Sequence, residues 1–215
     1  MSQICFGIDL GGTKIEVIGI DPTIKGNADN VDAAHNIVYQ KRIDTPKGDY
    51  IATLDAITHL VLEAEAKLSQ KGSVGIGIPG SISHKTGKVK NANSIWLIGQ
   101  DLQTDLQWRL NRPIALANDA NCFALSEAVE GSAQDADVVF GVIIGTGCGG
   151  GIVVNGQILN GVNAIGGEWG HNPLPWLEDD ECQLPCYCGL KGCNETYLSG
   201  SGLEAHYAQR MAQKM

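Results

Sequence analysis

GIDLGGTKIEVIGI at 7–20 and GVIIGTGCGGGIVV at 141–154 follow one plan: an apolar strand, a turn of glycine and threonine, and a second apolar strand. A single hairpin of this kind arises readily by chance. Two of them, starting 134 positions apart (141 − 7), point to duplicated α/β domains facing each other across a cleft. Working outward from the first, 4–10 and 15–21 alternate as strands, 22–36 is polar and turn-rich, and 37–43 is a third strand. Asp49 then caps a helix whose apolar positions are Ile51, Leu54, Ile57, Val61, Ala64 and Leu68, with Gly72 as its left-handed end. A buried strand at 74–78 runs into Pro79-Gly80, followed by a helix at 102–110 and a strand at 114–117. Beyond it come a helix at 120–130, the strand at 138–144, and 152–154 joined to 157–159 through the type I′ signal Asn155-Gly156. A last helix starts near Leu203.

Composition narrows the function classes. The net charge of −9 disfavours nucleic-acid backbones as partners. Glycine supplies 28 of 215 residues, which suits close backbone approach rather than solvated helices. Residues 138–167 carry no charge, but five glycines between 145 and 151 break any membrane-spanning helix. The start MSQICFGIDL has no basic n-region, so a cytoplasmic protein with no membrane association is expected. Seven cysteines, four of them between 182 and 193, then read as metal ligands or reduced thiols rather than a disulfide frame. Cys5 and Cys122 read as buried small hydrophobes, and Trp96 and Trp108 as packing anchors.

Gly145-x-Gly147-x-x-Gly150 has the spacing of a dinucleotide fingerprint, but strand and turn residues follow where that motif needs a helix. What remains is either a tight hairpin or a loop whose backbone N–H groups face phosphate oxygens, with Thr13 and Thr146 adding hydroxyls. Asp9 at the mouth of the first loop is placed to hold hydrated magnesium. Asp119 suits a helix N-cap or a base that takes a proton from an attacking hydroxyl. Cys186-x-Cys188-x4-Cys193 with His171 upstream has the composition of a structural zinc site, although the C-x-C spacing leaves unrelated thiols open.

DLGGTK at 9–14, NDAN at 118–121, IIGTGCGGGI at 143–152, GEWGHNPL at 167–174 and CYCGLKGCNE at 186–195 occur in this order. The set resembles the ROK family of sugar kinases, from residue 5 to the end. KNANSIWL at 90–97 and GHNPLPW at 170–176 are most similar to its fructokinase/mannokinase branch. The resemblance implies an α/β, actin/hexokinase-like (ribonuclease H-like) architecture with a small domain over 1–117 and a larger one from 118. It implies ATP with Mg and a structural Zn as cofactors, a homodimer, and phosphorylation of a hexose. Fructose to fructose 6-phosphate stands first; another hexose, an N-acetylhexosamine, or a sugar-binding regulator without turnover are alternatives. Asp119 becomes the general base. Asp9, Gly11, Gly12, Thr13, Lys14, Gly145, Thr146 and Gly147 become the nucleotide phosphate site. Pro79, Gly80, Asn93, Asn118, Glu168, His171 and Glu195 become the sugar site. His171, Cys186, Cys188 and Cys193 become the zinc ligands, with Cys182 as a rival. Nothing after Gly202 matches the family's later adenosine-binding segment, so the second domain is expected to be truncated.

Overall fold

Strand β1 (Ile4–Leu10) buries Ile4, Phe6, Ile8 and Leu10 on one face and turns Cys5 and Asp9 to the other, as a period of two requires. Cys5 is therefore exposed, not buried as expected, because its parity opposes that of Phe6. In the computed structural model, which describes residues 4–24, 36–177 and 184–212, β1 pairs antiparallel with β2 (Lys14–Ile20). Strand β3 (Ile37–Asp44) continues that meander on β2. The loop expected at 22–36 falls largely outside the described residues, as do Cys182 and the last three residues.

Helix α1 (Tyr50–Leu68) starts where the Asp49 carboxylate accepts from the Ala52 N–H at 2.9 Å. Leu54, Ile57, Leu60, Val61 and Ala64 are buried, each larger side chain contributing about 1.5–3 kcal/mol. Ile51 is exposed instead. Each step of three residues rotates a position by roughly 60° from its predecessor, so Ile51 has left the face that Ile57 centres. The left-handed cap is Ser69, at φ 51°, rather than Gly72. Gly72 opens β4 (Gly72–Ile78), where an added Cβ would come within 2.4 Å of the Ile4 carbonyl oxygen.

Strand β4 runs parallel to β1, and β7 (Ile114–Asn118) runs parallel to β4, completing a sheet in the order β3-β2-β1-β4-β7. Between them lie a small hairpin, β5 (Ser81–Ile82) with β6 (Val89–Lys90), a 3-10 turn at Ile95–Leu97, and helix α2 (Leu102–Leu110). Leu102, Leu106 and Leu110 of α2 join the same core as α1 and the inward face of β1. Trp96 packs on that core and donates from Nε1 to Thr53 Oγ1 at 3.1 Å. Trp108, expected as a second anchor, is 83% exposed.

The chain forms two compact units, Met1–Asp119 and Ala120–Met215. Asn118 and Asp119 close the first unit, Asp119 being also the first residue of the helix that leads into the second. In the second, helix α3 (Asp119–Val129) supplies Ala124 to a small core with Val139 and Val153. Those two come from β8 (Val138–Ile144) and β9 (Cys148–Val154), which pair antiparallel as the second of the two expected hairpins. The turn to β10 (Gln157–Ile158) has positive φ at both Asn155 and Gly156, as type I′ demands. On β8, Val138, Phe140, Val142 and Ile144 are all exposed, and β8 is the edge of the described three-stranded sheet. The final helix is two: α4 (Asn194–Leu198) and α5 (Gly200–Ala212). None of the described helices is long and apolar enough to cross a membrane.

Candidate functional site

Because β1, β4 and β7 are parallel, their carboxyl ends share one edge of the sheet, the edge where open α/β sheets bind ligands. The register places Asp9 beside Gly77, and Gly77 beside Ala117. Asp9, Pro79-Gly80, Asn118 and Asp119 therefore gather at this edge. Gly80 has φ 95°, and a Cβ there would sit 2.6 Å from the Lys90 carbonyl oxygen, so only glycine lets the turn press against 90–92. Its own carbonyl accepts from Asn118 Nδ2 at 3.0 Å, which fixes the Asn118 side chain. Pro79 is buried under this turn, and Asn93 is exposed just beyond it. Asp119 is exposed at the start of α3. Asp9 is solvent-accessible, yet desolvation, then the Asp119 and Glu16 charges, raise its pKa, with Arg42 opposing. This crowding of carboxylates is the kind that a divalent cation relieves.

The first glycine loop is closed by the Gly11 N–H donating to the Lys14 carbonyl at 2.9 Å. Thr45 braces it from the end of β3, donating from its hydroxyl to the Gly11 carbonyl (2.8 Å) and from its N–H to the Thr13 carbonyl (2.9 Å). Lys14 forms an exposed ion pair with Asp44. Gly12 and Thr13 are exposed.

In the second unit, the loop of Gly145, Thr146 and Gly147 closes through the Gly145 N–H and the Gly147 carbonyl, 2.9 Å apart. The segment carrying Glu168 and His171 crosses it so closely that a Cβ on Gly170 would meet the Cys148 carbonyl oxygen at 2.3 Å. The Trp169 indole donates to the Gly149 carbonyl at 2.7 Å. Cys148 is buried, and desolvation followed by the Glu195 charge raises its pKa, which marks an unreactive thiol.

His171, Cys186, Cys188 and Cys193 each offer a ligand atom, all within 4.8 Å of one another. The Cys188 and Cys193 sulfurs are 3.6 Å apart, and the Cys186 sulfur is 3.4 Å from His171 Nδ1. Tetrahedral zinc with ordinary bond lengths separates two thiolates by roughly 3.8 Å and a thiolate from an imidazole nitrogen by roughly 3.5 Å. The cluster fits that geometry. Burial, followed by the neighbouring thiols, pushes the Cys193 thiol up to about 12 when no cation balances the charge.

Sequence reasoning missed Tyr187. Its hydroxyl lies 2.8 Å from His171 Nε2, and its ring meets the imidazole edge-on. Desolvation raises its pKa, followed by Glu195 and, further down the order, Glu168, so both carboxylates lie within electrostatic reach of one hydroxyl. A cavity of about 260 Å³ opens beside it, lined by Leu184, Pro185, Tyr187, Glu195, Ser201 and Ala205 among others. Glu195 itself is half-buried, and its Oε2 accepts from the Cys148 N–H at 2.8 Å. A tyrosine between two of the clustered cysteines is the signal that was available in CYCGLKGC.

The ROK family model matches residues 5–215, and the chain belongs to the ROK family. An N-acetyl-D-glucosamine kinase of Pectobacterium atrosepticum is 42% identical over 207 residues, covering 94% of this chain and 64% of that protein. The chain thus spans somewhat under two thirds of that relative's length. The ROK hexokinase of Thermus thermophilus has 30% identity and a TM-score of 0.75, with 98% of this chain matching 65% of that one. A ROK glucokinase from Streptomyces griseus, solved with glucose and AMPPNP, has 29% identity and a TM-score of 0.73, with 98% of this chain matching 62% of that one. The expected α/β, hexokinase-like fold is thereby established.

Proposed function

We propose that this chain binds a sugar and ATP and transfers the γ-phosphoryl group to a sugar hydroxyl, with N-acetylglucosamine as the foremost acceptor. The observation that carries the reading is the placement of Asp9, Asn118 and Asp119 together at the carboxyl ends of β1 and β7, within a sequence similar to N-acetyl-D-glucosamine kinases. Fructose, the first expectation, rested on the branch resemblance of 90–97 and 170–176. The names of the relatives favour the N-acetylhexosamine alternative.

In this reading the Asp119 carboxylate accepts the proton of the acceptor hydroxyl as its oxygen bonds to the γ-phosphorus. The bond from that phosphorus to the β–γ bridging oxygen breaks, and ADP leaves. Asn118, held by the Gly80 carbonyl, orients the sugar beside this base. Glu168, His171 and Glu195, gathered around Tyr187, supply acceptors and donors for further sugar hydroxyls. The two glycine loops present backbone N–H groups to the phosphates. Mg²⁺, bound with ATP, would spread the phosphate charge, and Asp9 is the residue that would hold its water shell. Zinc, on His171 and the three cysteines, would fix the walls carrying Glu168 and Glu195 and take no part in the transfer. A cytoplasmic location, where ATP is supplied, suits this chemistry.

ADP release measured over N-acetylglucosamine, N-acetylmannosamine, glucose, mannose and fructose tests the proposal. The highest kcat/KM is expected with N-acetylglucosamine. A preference for fructose, or no sugar-dependent release, overturns it.

A further inference from the structure

Beyond its own turn and the β8–β9 ladder, the backbone of 145–149 is held by two segments that meet at the Cys/His cluster. Cys193, one of the four clustered ligands, is the N-cap of α4. Two residues on, Glu195 accepts from the Cys148 N–H at 2.8 Å. At the junction of α4 and α5, the Gly200 N–H donates to the Gly145 carbonyl at 2.8 Å, and Ser201 Oγ donates to the Thr146 carbonyl at 2.6 Å. The junction is itself rigid: Ser199 Oγ accepts from the Gly202 N–H at 3.0 Å and lies 3.1 Å from Ser201 Oγ. On the other side of the loop, Trp169, two residues before His171, takes the Gly149 carbonyl. The Asn194 side chain donates to the Trp169 carbonyl at 3.0 Å, and the Asn194 and Glu195 N–H groups donate to the Asn172 and Gly170 carbonyls, both at 2.8 Å. The two chain segments that meet at the cluster are thus laced together, and between them they grip four consecutive or near-consecutive groups of the loop.

We infer that the Cys/His cluster is a clamp on the second glycine loop, with Ser201 and Glu195 as positioning residues. Metal bound there sets the shape of 145–149 as well as the sugar wall. The inference rests on the proposal that this loop receives nucleotide phosphates. The structural argument is one of entropy: a glycine-rich loop loses more conformational freedom on ordering than any other sequence. Holding it in advance from outside removes that cost from ligand binding.

Hydrogen exchange at the amides of 145–150, read against those of the first unit, tests the clamp in the zinc-loaded protein, after chelation, and in Ser201→Ala. Calorimetry with AMPPNP accompanies it. Ser201→Ala leaves all four cluster ligands in place, so its zinc content should remain at one per chain. Faster exchange confined to 145–150 is expected in both perturbed forms. AMPPNP binding should weaken about fivefold in Ser201→Ala, the scale of one hydrogen bond, and more after chelation. Unchanged exchange in Ser201→Ala and after chelation overturns the clamp. Faster exchange with unchanged AMPPNP affinity, or faster exchange in a protein that binds no AMPPNP even when zinc-loaded, upholds the clamp and overturns the phosphate assignment of the loop.

Discussion

Glu65 of α1 and Arg112, just before β7, meet in a two-pronged ion pair that also captures the backbone of Gly72. Both guanidinium NH groups reach the carboxylate, one of them at 2.9 Å. The Gly72 carbonyl accepts from Arg112 at 2.9 Å, and the Gly72 N–H donates to Glu65 at 3.2 Å. Their side chains are only 14% and 9% exposed, so removing one partner strands a charge that water reaches poorly. Arg112→Ala should cost about 3 kcal/mol in denaturant unfolding, while the double replacement Glu65→Leu with Arg112→Met should cost far less. Burial tends to raise the Glu65 pKa, but Arg112 and the Gly72 N–H outweigh it and hold it below 4.5. A depressed carboxyl adds stability above its unfolded pKa and loses it as pH falls through the folded value. Stability should therefore drop below about pH 4.5, less steeply in the double variant, as pH-dependent melting curves would reveal.

Asp119→Asn keeps the shape of the side chain and removes the proton acceptor. In a sugar-dependent ADP-release assay kcat should fall by at least about a hundredfold, with sugar affinity by calorimetry within about twofold of the parent. Near-normal kcat would remove Asp119 from the chemistry.

Glu168→Ala should separate the substrates. Losing a charged hydrogen-bond acceptor for a sugar hydroxyl should raise the sugar KM about tenfold or more and leave the ATP KM unchanged. Equal changes in both constants would deny Glu168 a sugar contact.

Cys186→Ser should bind less than one zinc per chain by elemental analysis and lower Tm. Closed Cys3His sites contribute folding energy directly. A variant that melts like the parent and keeps no metal would mean that the four residues pack without needing an ion.

The hairpins and the strands themselves were legible in the sequence because each depends on a local pattern. Alternation announced β1 and β8, and Asn155-Gly156 announced its own turn. The family motifs placed Asp9, Asn118 and Asp119. The misreadings share a cause: they turned on which neighbour came from elsewhere in the chain. Gly72 looked like a helix cap, yet it is small because Ile4 and Phe6 lie against it. Cys5 looked apolar enough to bury, yet its face of β1 is open. Ser199 and Ser201 carry no motif of their own, and Ser201 meets the Thr146 carbonyl only because the 186–201 segment folds back on 145–149.

The alternation along β8 has a practical side. Val138, Phe140, Val142 and Ile144 form an uncharged, water-facing stripe on a strand that has only β9 beside it in the described sheet. Proteins usually guard such an edge with lysine or proline. Unguarded, it makes the colloidal behaviour of this chain a matter of concentration and salt: dilute, low-salt preparations should stay clear while concentrated ones scatter light. Val138→Lys would serve as a gatekeeper at the far end of the strand from the glycine loop, extending the working range.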